Sequence, residues 1–533
     1  MSGRLKFCGW GYEGDGLTHE EENRLLEAYA GRFDVDGFER ATVPDPGTIN
    51  LRAPRITPPD SLGDICSTDH MDRLLHCYGQ SYPDYVRTFN GDFSTAPDVV
   101  AWAKSEADVC AVFDWAADAH AAVIPFGGGT SVVGGTEAAV GDTYKGAICL
   151  DLTGLDQVLE VDRTSLAARI QGGIRGPAME AGLRGHDLTM RHFPQSFELA
   201  TLGGMIATRS GGHFATVYTH IDDFVESVRC VTPSGPVESR RLPGSGAGPS
   251  PDRLFIGSEG ALGVITEAWM RLRERPKFRA STAVSFAEFA NAVEAIRLIS
   301  QSGLFPSNVR LLDAMEAWLN GFGDGKSHMV ILAFESADHA VDAWMARALE
   351  ICAACSGSYD LDASDDTDAH KAGTAGAWRT AFIKMPHFRE PLVSAGIIHD
   401  TFETAITWDR FEALHAGITK AMHTALKDVT GRTGYVSCRF THVYPDGPAP
   451  YFTFVGLGRH GALLDQWREL KARASDAVIE CGGTITHHHA VGRDHMPWYE
   501  KQIPPLFTDT LRAAKQTLDP AGILNPGVLV SAP

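Results

Sequence analysis

The stretch that decides the fold is Pro125-Phe-Gly-Gly-Gly-Thr-Ser131, in which three consecutive glycines follow a predicted buried strand, Ala121-Ala-Val-Ile124. Glycine lacks a Cβ atom, so successive backbone N–H groups can turn into one concavity and approach an anion. This pattern predicts a loop that closes around a phosphate. A plain glycine-rich turn between strands is the alternative, and the surrounding sequence has to decide between the two.

Three further segments rich in glycine and hydroxyl side chains follow this loop: Pro194–Gly204, Thr208–Gly212 and Gly257–Thr266. Four such segments predict a long ligand, such as a dinucleotide, held mostly by main-chain groups and hydroxyls. The sequence contains neither G-x-G-x-x-G at a strand-to-helix junction nor G-x-x-x-x-G-K-[ST], which disfavours a Rossmann or P-loop site.

Length and composition exclude several classes of protein. A chain of 533 residues predicts two or three domains, and 44% hydrophobic with 21% charged residues is typical of a soluble globular protein. A net charge of −20 argues against a nucleic-acid partner. The sequence has no long apolar run that could span a bilayer and no signal-peptide pattern at its start, so we expect a cytoplasmic protein.

Short strands alternating with helices predict an α+β fold. We divide the chain into an N-terminal arm at 1–94, a ligand-binding domain at 95–275, a second α+β domain at 276–480 and a returning C-terminal segment at 481–533. The first domain is expected to have helices at 98–120 and 176–184 and strands at 121–124, 147–151, 166–171, 225–231 and 262–272. The second is expected to have helices near 286–302 and 337–355 and strands near 328–334, 434–443 and 451–456.

The four glycine-rich segments resemble the FAD-binding domain of the vanillyl-alcohol oxidase superfamily, where the flavin lies between two α+β subdomains. The resemblance implies such a two-subdomain FAD-binding domain followed by an α+β substrate (cap) domain. Some members attach the flavin through a histidine just after the glycine loop, but Gly129-Thr-Ser-Val132 has neither His nor Cys, so we expect noncovalent FAD. The expected cofactor-binding residues are Pro125, Phe126, Gly127, Gly128, Gly129, Thr130, Ser131, Gln195, Ser196, Phe197, Glu198, Leu199, Ala200, Thr201, Thr208, Arg209, Ser210, Gly211, Glu259, Gly260, Ala261, Leu262, Gly263, Val264 and Ile265.

Other motifs narrow the resemblance to the alkyldihydroxyacetonephosphate synthase family. The matching motifs are Lys6–Tyr12, the GGGTS loop, Leu199–Gly204, Val309–Asp313, Thr404–Arg410, Tyr451–Phe454 and His487–His489. The family's reaction is redox-neutral: acyl-dihydroxyacetone phosphate loses a proton at C1, and a long-chain alcohol replaces the fatty acid. The resemblance therefore implies a lipid substrate, and it also implies a homodimer and contact with a membrane surface.

The three consecutive histidines His487, His488 and His489 follow Gly482–Thr486, at the end of an apparent strand. Neighbouring side chains on a strand alternate between its two sides, so at most two of the three are expected to face one cavity. A neutral imidazole is a suitable base near pH 7. A metal-binding tract and a solvated polar loop are the alternatives, and the sequence does not assign the base to one histidine.

The resemblance also implies roles for three single residues. Tyr451 corresponds to the family's acid/base tyrosine, Arg410 to its substrate-binding arginine and Arg310 to an arginine required for activity near the flavin. Each has an ordinary structural alternative: a core aromatic for Tyr451, an ion pair with Asp409 for Arg410, and an ion pair with Asp313 for Arg310. The segment 378–400 is expected to line the substrate pocket.

A flavin dehydrogenase of D-2-hydroxy acids on the same fold is the competing function. Such relatives carry a metal-binding His-x-Gly-Asp-Gly-Asn-x-His and a later Glu-His-Gly, whereas this chain has His442–Tyr451 and the pair His488-His489 at those places. The missing carboxylate and imidazole favour the synthase, so no metal ion is expected. His442 together with the three histidines could nevertheless form a site with nitrogen ligands. Flavin binding without catalysis is a third hypothesis.

Overall fold

The computed structural model describes residues 4–214, 219–321, 323–359 and 384–531. Its strands are β1 Cys66–Ser67, β2 Val99–Trp102, β3 Ala121–Phe126, β4 Gly146–Asp151, β5 Val158–Asp162, β6 Ala167–Gln171, β7 Leu188–Thr189, β8 Val225–Thr232, β9 Gly235–Glu238, β10 Val264–Arg271, β11 Arg273–Glu274, β12 Phe278–Phe286, β13 Asn308–Leu312, β14 His328–Ser336, β15 Ile397–Glu403, β16 Tyr435–Val443 and β17 Pro448–Leu457. The predicted mixture of helices and sheets is confirmed.

The described helices alternate with these strands. They are α1 His19–Phe33, α2 His70–Leu75, α3 Tyr82–Phe89, α4 Glu106–Ala119, α5 Gly176–Arg184, α6 Leu202–Ala207, α7 Asp252–Phe255, α8 Phe289–Gln301, α9 Ala314–Leu319, α10 Asp342–Ala354, α11 Arg389–Ser394, α12 Trp408–Thr430, α13 Leu463–Glu480, α14 Met496–Gln502 and α15 Pro505–Leu518. Short 3-10 turns occupy Pro46–Thr48, Asp60–Leu62, Ile221–Asp223 and Met385–Phe388. Over the residues that the structure covers, no helix is long and apolar enough to cross a bilayer.

The first sheet has the order β1-β2-β4-β3, with β4 parallel to both β2 and β3. All six residues of β4 are buried, as expected for the centre of a parallel sheet covered on both faces. The glycine loop starts at the carboxyl end of β3. The chain's C-terminal part adds to this unit, because the Val123 N–H donates to the Ile523 carbonyl at 2.8 Å.

The expected helix at 98–120 is wrong in its first third. Residues 99–102 form β2, and α4 begins only at Glu106, after the Ser105 hydroxyl accepts a hydrogen bond from the Asp108 N–H at 3.2 Å. The apolar run Val99–Trp102 is compatible with a helix or a strand. It forms a strand because it pairs with β1 and β4. The cap at Ser105 was the local signal for the true helix start.

The second sheet is antiparallel and has the order β5-β6-β10-β8-β9. The strands expected at 166–171, 225–231 and 262–272 correspond to β6, β8 and β10, and the helix expected at 176–184 corresponds to α5. One hydrophobic cluster joins α5 and α6 to this sheet. The two sheets flank the glycine-rich segments, which therefore lie where the two subdomains meet.

The third sheet has six antiparallel strands in the order β12-β14-β13-β16-β17-β15. One face packs on α8, α10, α12 and α13 through a large apolar cluster, to which Phe440, Phe452 and Phe454 belong. Because side chains alternate along a strand, Arg439 and Thr441 on β16 and Tyr451 and Thr453 on β17 project from the opposite face. That face is polar and lines a cavity. Strands β12, β13 and β15 were not predicted.

The N-terminal residues pack against the substrate domain. Leu26, Tyr29 and Phe33 of α1 form a cluster with residues of α11, β15 and β17. Tyr82 of α3 is fully buried in the core of the six-stranded sheet. The domain limits at 94, 275 and 480 stay predictions, since neighbouring segments share these cores.

Candidate active site

A cavity of about 330 Å³ lies between the glycine-rich segments and the polar face of the six-stranded sheet. All seven residues from Pro125 to Ser131 line it, together with parts of the other three glycine-rich segments. Six of the expected cofactor residues lie outside the wall: the buried Leu199, Ala261 and Leu262, the half-buried Phe197, and the exposed Glu198 and Arg209.

These six residues differ from their neighbours in where the side chain packs. Ala261 and Leu262 belong to the hydrophobic core under the second sheet. Arg209 has a positive φ of 52° and pairs with Asp222 at 3.2 Å. A continuous motif in the sequence therefore contributes only some of its residues to the cavity, because others anchor the loop to the core beneath it.

The glycine loop has the shape that a dinucleotide cradle requires. A Cβ atom on Gly128 would lie 2.0 Å from the carbonyl oxygen of Leu199, and one on Gly127 would lie 2.2 Å from the hydroxyl of Thr201. Gly129 has φ +63°, a conformation that other residues rarely adopt. Only glycine fits here, so main-chain groups form this side of the cavity and the residues present fit FAD.

Tyr451 stands on the opposite wall and is buried. Its phenol oxygen lies 2.9 Å from the hydroxyl of Thr401 on β15, and the guanidinium carbon of Arg439 lies 3.9 Å from the ring centroid. Burial raises the pKa of the Tyr451 phenol, while the positive charge of Arg439 lowers it in part. The phenol is thus held protonated but polarised, which suits a group that donates and recovers a proton.

The three histidines do not follow a strand, contrary to the expectation from the sequence. They form a loop around the buried carboxylate of Glu403, which accepts hydrogen bonds from the backbone N–H groups of His487, of His488 at 3.1 Å and of His489 at 2.9 Å. The hydroxyl of Thr486 donates to the same carboxylate at 2.7 Å. Extended backbone cannot aim three successive N–H groups at one acceptor, so the segment turns.

This loop divides the three imidazoles between two environments. His488 and His489 line the cavity, with ring centroids 6.0 Å and 5.3 Å from that of Tyr451. His487 lies behind them, with its Nε2 2.6 Å from the Tyr444 hydroxyl. His442, which the sequence tied only to the competing function, also lines the cavity. Burial lowers the pKa of all four histidines, so they are neutral imidazoles at pH 7.

Four cationic side chains line the cavity: Arg310, Arg389, Arg439 and Lys471. Arg310 is fully buried on β13 and donates to the carbonyl of His213 at 3.3 Å. Burial, and secondarily the charge of Arg439, lowers the pKa of the Arg310 guanidinium to about 9. The alternative pairing of Arg310 with Asp313 does not hold, because Asp313 accepts the N–H of Glu316 at 2.6 Å and caps α9.

The structure does not bring Arg410 to the cavity, and the position of its side chain does not support the expected role in binding substrate. Arg410 is exposed in the first turn of α12, and its guanidinium donates to the carbonyl of Cys481 at 3.2 Å. Helix α12 packs on the far face of the sheet from the cavity. Nor does Arg410 form an ion pair with Asp409, its described neighbour in the chain.

Sequence reasoning missed two cavity arginines, Arg439 on β16 and Arg389. Arg389 donates to Asp400 at 2.9 Å and to the Gln80 carbonyl at 2.8 Å, and it lies in the segment that was expected to line the pocket. His399 and Asp400 of this segment also line the cavity, whereas residues 378–383 lie outside the described residues. The sequence predicted that this segment lines the cavity, but it did not single out Arg389, because no distinctive motif surrounds that residue.

One end of the cavity is apolar. Trp10, Leu25 and Tyr29 from the N-terminal region face Leu319 and Phe388 there. Such a wall excludes water and suits a hydrocarbon chain. The N-terminal arm thereby contributes to the site, which its polar, proline-rich sequence did not indicate.

Comparisons with known proteins agree with this arrangement. Residues 97–239 match the family described as "FAD binding domain", and residues 275–529 match "FAD linked oxidases, C-terminal domain". The chain is 29% identical over 489 residues to the alkyldihydroxyacetonephosphate synthase of Dictyostelium discoideum, with 89% of this chain and 79% of that protein covered. It is 27% identical over 573 residues to that of Trypanosoma brucei brucei, with coverage of 99% and 93%.

The same likeness extends to three dimensions. A solved structure of alkyldihydroxyacetonephosphate synthase superposes with a TM-score of 0.80 at 24% identity, covering 98% of this chain and 97% of that one. At this level of identity the superposition shows the fold. The expected arrangement of an FAD-binding domain and an α+β cap domain is confirmed, and so is FAD as the cofactor.

Proposed function

We infer that this chain, a member of the FAD-linked oxidases and a homologue of the alkyldihydroxyacetonephosphate synthases, exchanges the acyl chain of acyl-dihydroxyacetone phosphate for a long-chain alcohol. The C1–O bond to the acyl group breaks, the fatty acid leaves, and the oxygen of the alcohol forms the new bond. The observation that carries this inference is that Tyr451, His488 and His489 face the same cavity as the FAD-binding segments.

The neutral imidazoles and the phenol match the two proton transfers of the exchange. One transfer removes a proton from C1 and returns one to C1 after the alcohol has been attached, for which His488 and His489 are the imidazoles on the cavity wall. The other protonates the leaving carboxylate and deprotonates the incoming alcohol, a role that suits the phenol of Tyr451 beside Thr401. Bound FAD supplies the ring system beside which C1 is held without net oxidation.

The cations and the apolar wall match the two ends of the substrate. The guanidinium groups of Arg310, Arg389 and Arg439 and the ammonium group of Lys471 surround the polar part of the cavity, and a phosphate is the substrate group that such donors bind best. The apolar end at Trp10, Leu25 and Phe388 fits the hydrocarbon chain. A small hydroxy acid would leave this end without a partner.

One preparation tests the proposal against the competing dehydrogenase. We expect the purified protein to exchange the acyl group of palmitoyl-dihydroxyacetone phosphate for hexadecanol with no electron acceptor present. Reduction of a dye by D-lactate or D-2-hydroxyglutarate, in the absence of any exchange, would assign the site to the dehydrogenase instead. Measuring both reactions at one flavin concentration removes differences in cofactor loading.

Noncovalent attachment of FAD follows from the residues after the glycine loop, Thr130, Ser131 and Val132, none of which can tether a flavin as His or Cys does. Acid precipitation should release all of the flavin into the supernatant. Yellow colour that stays with the precipitated protein would contradict noncovalent binding.

The homodimer, the cytoplasmic location and the contact with a membrane surface stay predictions. Membrane contact has some support in the exposed apolar side chains of Leu506 and Phe507, which are 80% and 51% exposed at the start of α15. A lipid substrate with a long alkyl chain has to be taken from a membrane or a carrier, so an exposed apolar pair on the enzyme surface is a reasonable contact point.

A further inference from the structure

A compact group of imidazoles lies beside the cavity and combines two neighbouring histidines with one from a distant strand. His487 and His488 come from the loop around Glu403, and His442 comes from β16. One nitrogen of each lies within 4.8 Å of the other two, and the Nδ1 atoms of His487 and His488 are 2.9 Å apart. Two nitrogens on a tetrahedral zinc ion are about 3.4 Å apart, so adjustments of about 1 Å would let all three contact one ion.

The second nitrogen of His487 is already fixed by a separate set of groups. Its Nε2 lies 2.6 Å from the Tyr444 hydroxyl and 3.0 Å from Nε2 of His220. Nδ1 of His220 lies 3.6 Å from the buried carboxylate of Asp222. Metal-binding histidines are commonly oriented in this way, through hydrogen bonds at the nitrogen that does not bind the metal. The Nδ1 atom of His487 is thereby directed towards His488.

The charges around the group suit a divalent cation. The carboxylate of Glu403 lies 3.7 Å from Nδ1 of His488 and is completely buried. This carboxylate accepts hydrogen bonds from three backbone N–H groups and from the Thr486 hydroxyl, and such hydrogen bonds favour its ionised form. Two guanidinium groups act on His488: that of Arg439 is paired with Glu316, and burial lowers the pKa of the other, Arg310, to about 9. Glu403 supplies the ionised carboxylate on this side, whereas the carboxylate of Asp222 pairs with Arg209 and Arg253.

The geometry points to a binding site for one late first-row divalent ion, such as Zn²⁺, held by imidazole nitrogens of His442, His487 and His488. Nitrogen ligands favour Zn²⁺, Co²⁺, Ni²⁺ and Cu²⁺ over Mg²⁺ and Ca²⁺, which prefer oxygen. Three histidines leave a further coordination position for water or a substrate oxygen. The absence of a metal ion expected from the sequence is thus revised, because the fold supplies the nitrogen set that the lost carboxylate motif no longer provides.

The site has a consequence for the exchange reaction, and this consequence alone rests on the proposed function. His488 lines the cavity beside Tyr451 and is also one of the three nitrogen ligands. An imidazole bound to a metal cannot accept a proton at the same nitrogen. Occupation of the site by Zn²⁺ should therefore inhibit the exchange, and removal of the ion by a chelator should restore it.

The test uses the FAD-loaded protein after treatment with a chelator and gel filtration. We expect one equivalent of Co²⁺ to bind and to give ligand-field absorption at longer wavelengths than the flavin bands, with displacement by one equivalent of Zn²⁺. Mg²⁺ at the same concentration should give no change. Absence of saturable Co²⁺ binding, or equal competition by Mg²⁺, would overturn the proposal whether or not the protein has exchange activity.

Variants locate the ion. His442→Gln and His487→Gln should each weaken Co²⁺ binding by more than the 10–100-fold that loss of an outer-shell partner typically causes, and Asp222→Asn should weaken it by about 10–100-fold. His423→Gln, at an exposed position on α12, is the matched control and should bind like the parent protein. Flavin content and the melting temperature report folding for each variant. Unchanged Co²⁺ binding in folded His442→Gln and His487→Gln would rule out this site.

Discussion

The two walls of the cavity are built on different principles. The wall contributed by the FAD-binding domain consists of backbone and glycine, and its residues are contiguous within short segments such as Pro125–Ser131. The opposite wall consists of side chains from separate strands, for example Arg310 on β13, Arg439 on β16 and Tyr451 on β17. A cofactor site made of main chain is local in the sequence, whereas the substrate site is assembled by the sheet.

The largest expected effect tests the side-chain wall. Replacement of Tyr451 by Phe removes the phenol oxygen and keeps the ring against Arg439, so exchange should fall by about 10²–10⁴-fold. Flavin content should not change, because the opposite wall holds the cofactor. Exchange rate per bound flavin is the measurement. Tyr435→Phe, at a tyrosine of β16 that does not line the cavity, is the control. A Tyr451→Phe rate above half of the parent value would remove the phenol from the mechanism.

The second prediction separates the arginine chosen by the structure from the arginine chosen by the sequence. Arg389→Gln removes a cation from the cavity and should raise the KM for the phosphate substrate by about 10–100-fold, since hydrogen bonds to a charged group contribute about 1.5–3 kcal/mol. Arg410→Gln should leave KM unchanged, because Arg410 is exposed, lies outside the cavity wall and donates to the Cys481 carbonyl. Steady-state kinetics at varied concentrations of the phosphate substrate give the KM of each variant. A raised KM in Arg410→Gln and an unchanged KM in Arg389→Gln would assign phosphate binding to Arg410 instead.

Arg389 also neutralises Asp400, so a single substitution leaves a buried carboxylate without its partner. The double variant Arg389→Gln with Asp400→Asn removes both charges and controls for that strain. If phosphate recognition is the role of Arg389, KM should stay raised in the double variant. Recovery of the parent KM would show that Arg389 acts only as the partner of Asp400.

The third prediction tests the main-chain wall. Gly128→Ala places a methyl group 2.0 Å from the Leu199 carbonyl, and such overpacking typically costs about 1–3 kcal/mol, which should appear as weaker flavin binding. Gly185→Ala is the matched control, because a Cβ atom there meets nothing within 4 Å and φ is −61°. Flavin retention after dialysis is the measurement. Full retention of flavin by folded Gly128→Ala protein would show that flavin binding does not require the close approach of the glycine loop to the Leu199 carbonyl.

The smallest expected effect concerns the outer surface, beyond both walls. Leu506→Ser combined with Phe507→Ser removes the exposed apolar pair and should lower association with liposomes by about tenfold or less, since each side chain is buried only in part in an interface. Leu159→Ser, at another exposed leucine, is the control. Flotation with phosphatidylcholine vesicles measures the change. Equal flotation of both variants and the parent protein would show that Leu506 and Phe507 do not form the membrane contact.

The sequence by itself determined the α+β class, the four glycine-rich segments and the catalytic residue types. These features depend on local properties: the freedom of glycine to adopt positive φ, the alternation of side chains between the two faces of a strand, and the position of apolar runs in the sequence. The motif Tyr451-Phe-Thr-Phe454 shows this, since its alternation already separates a cavity face from a core face. Local properties of this kind can be read from the amino-acid sequence without knowledge of the fold.

Only the tertiary structure decided which charged and titratable groups meet. Arg389, rather than Arg410, enters the cavity because α12 packs on the far face of the sheet, which no local pattern reveals. The loop of His487–His489 turns because the carboxylate of Glu403, on β15, accepts three of its N–H groups. Contacts between residues far apart in the chain depend on how whole elements pack, and the free energy of that packing is shared over the entire core rather than encoded at the site.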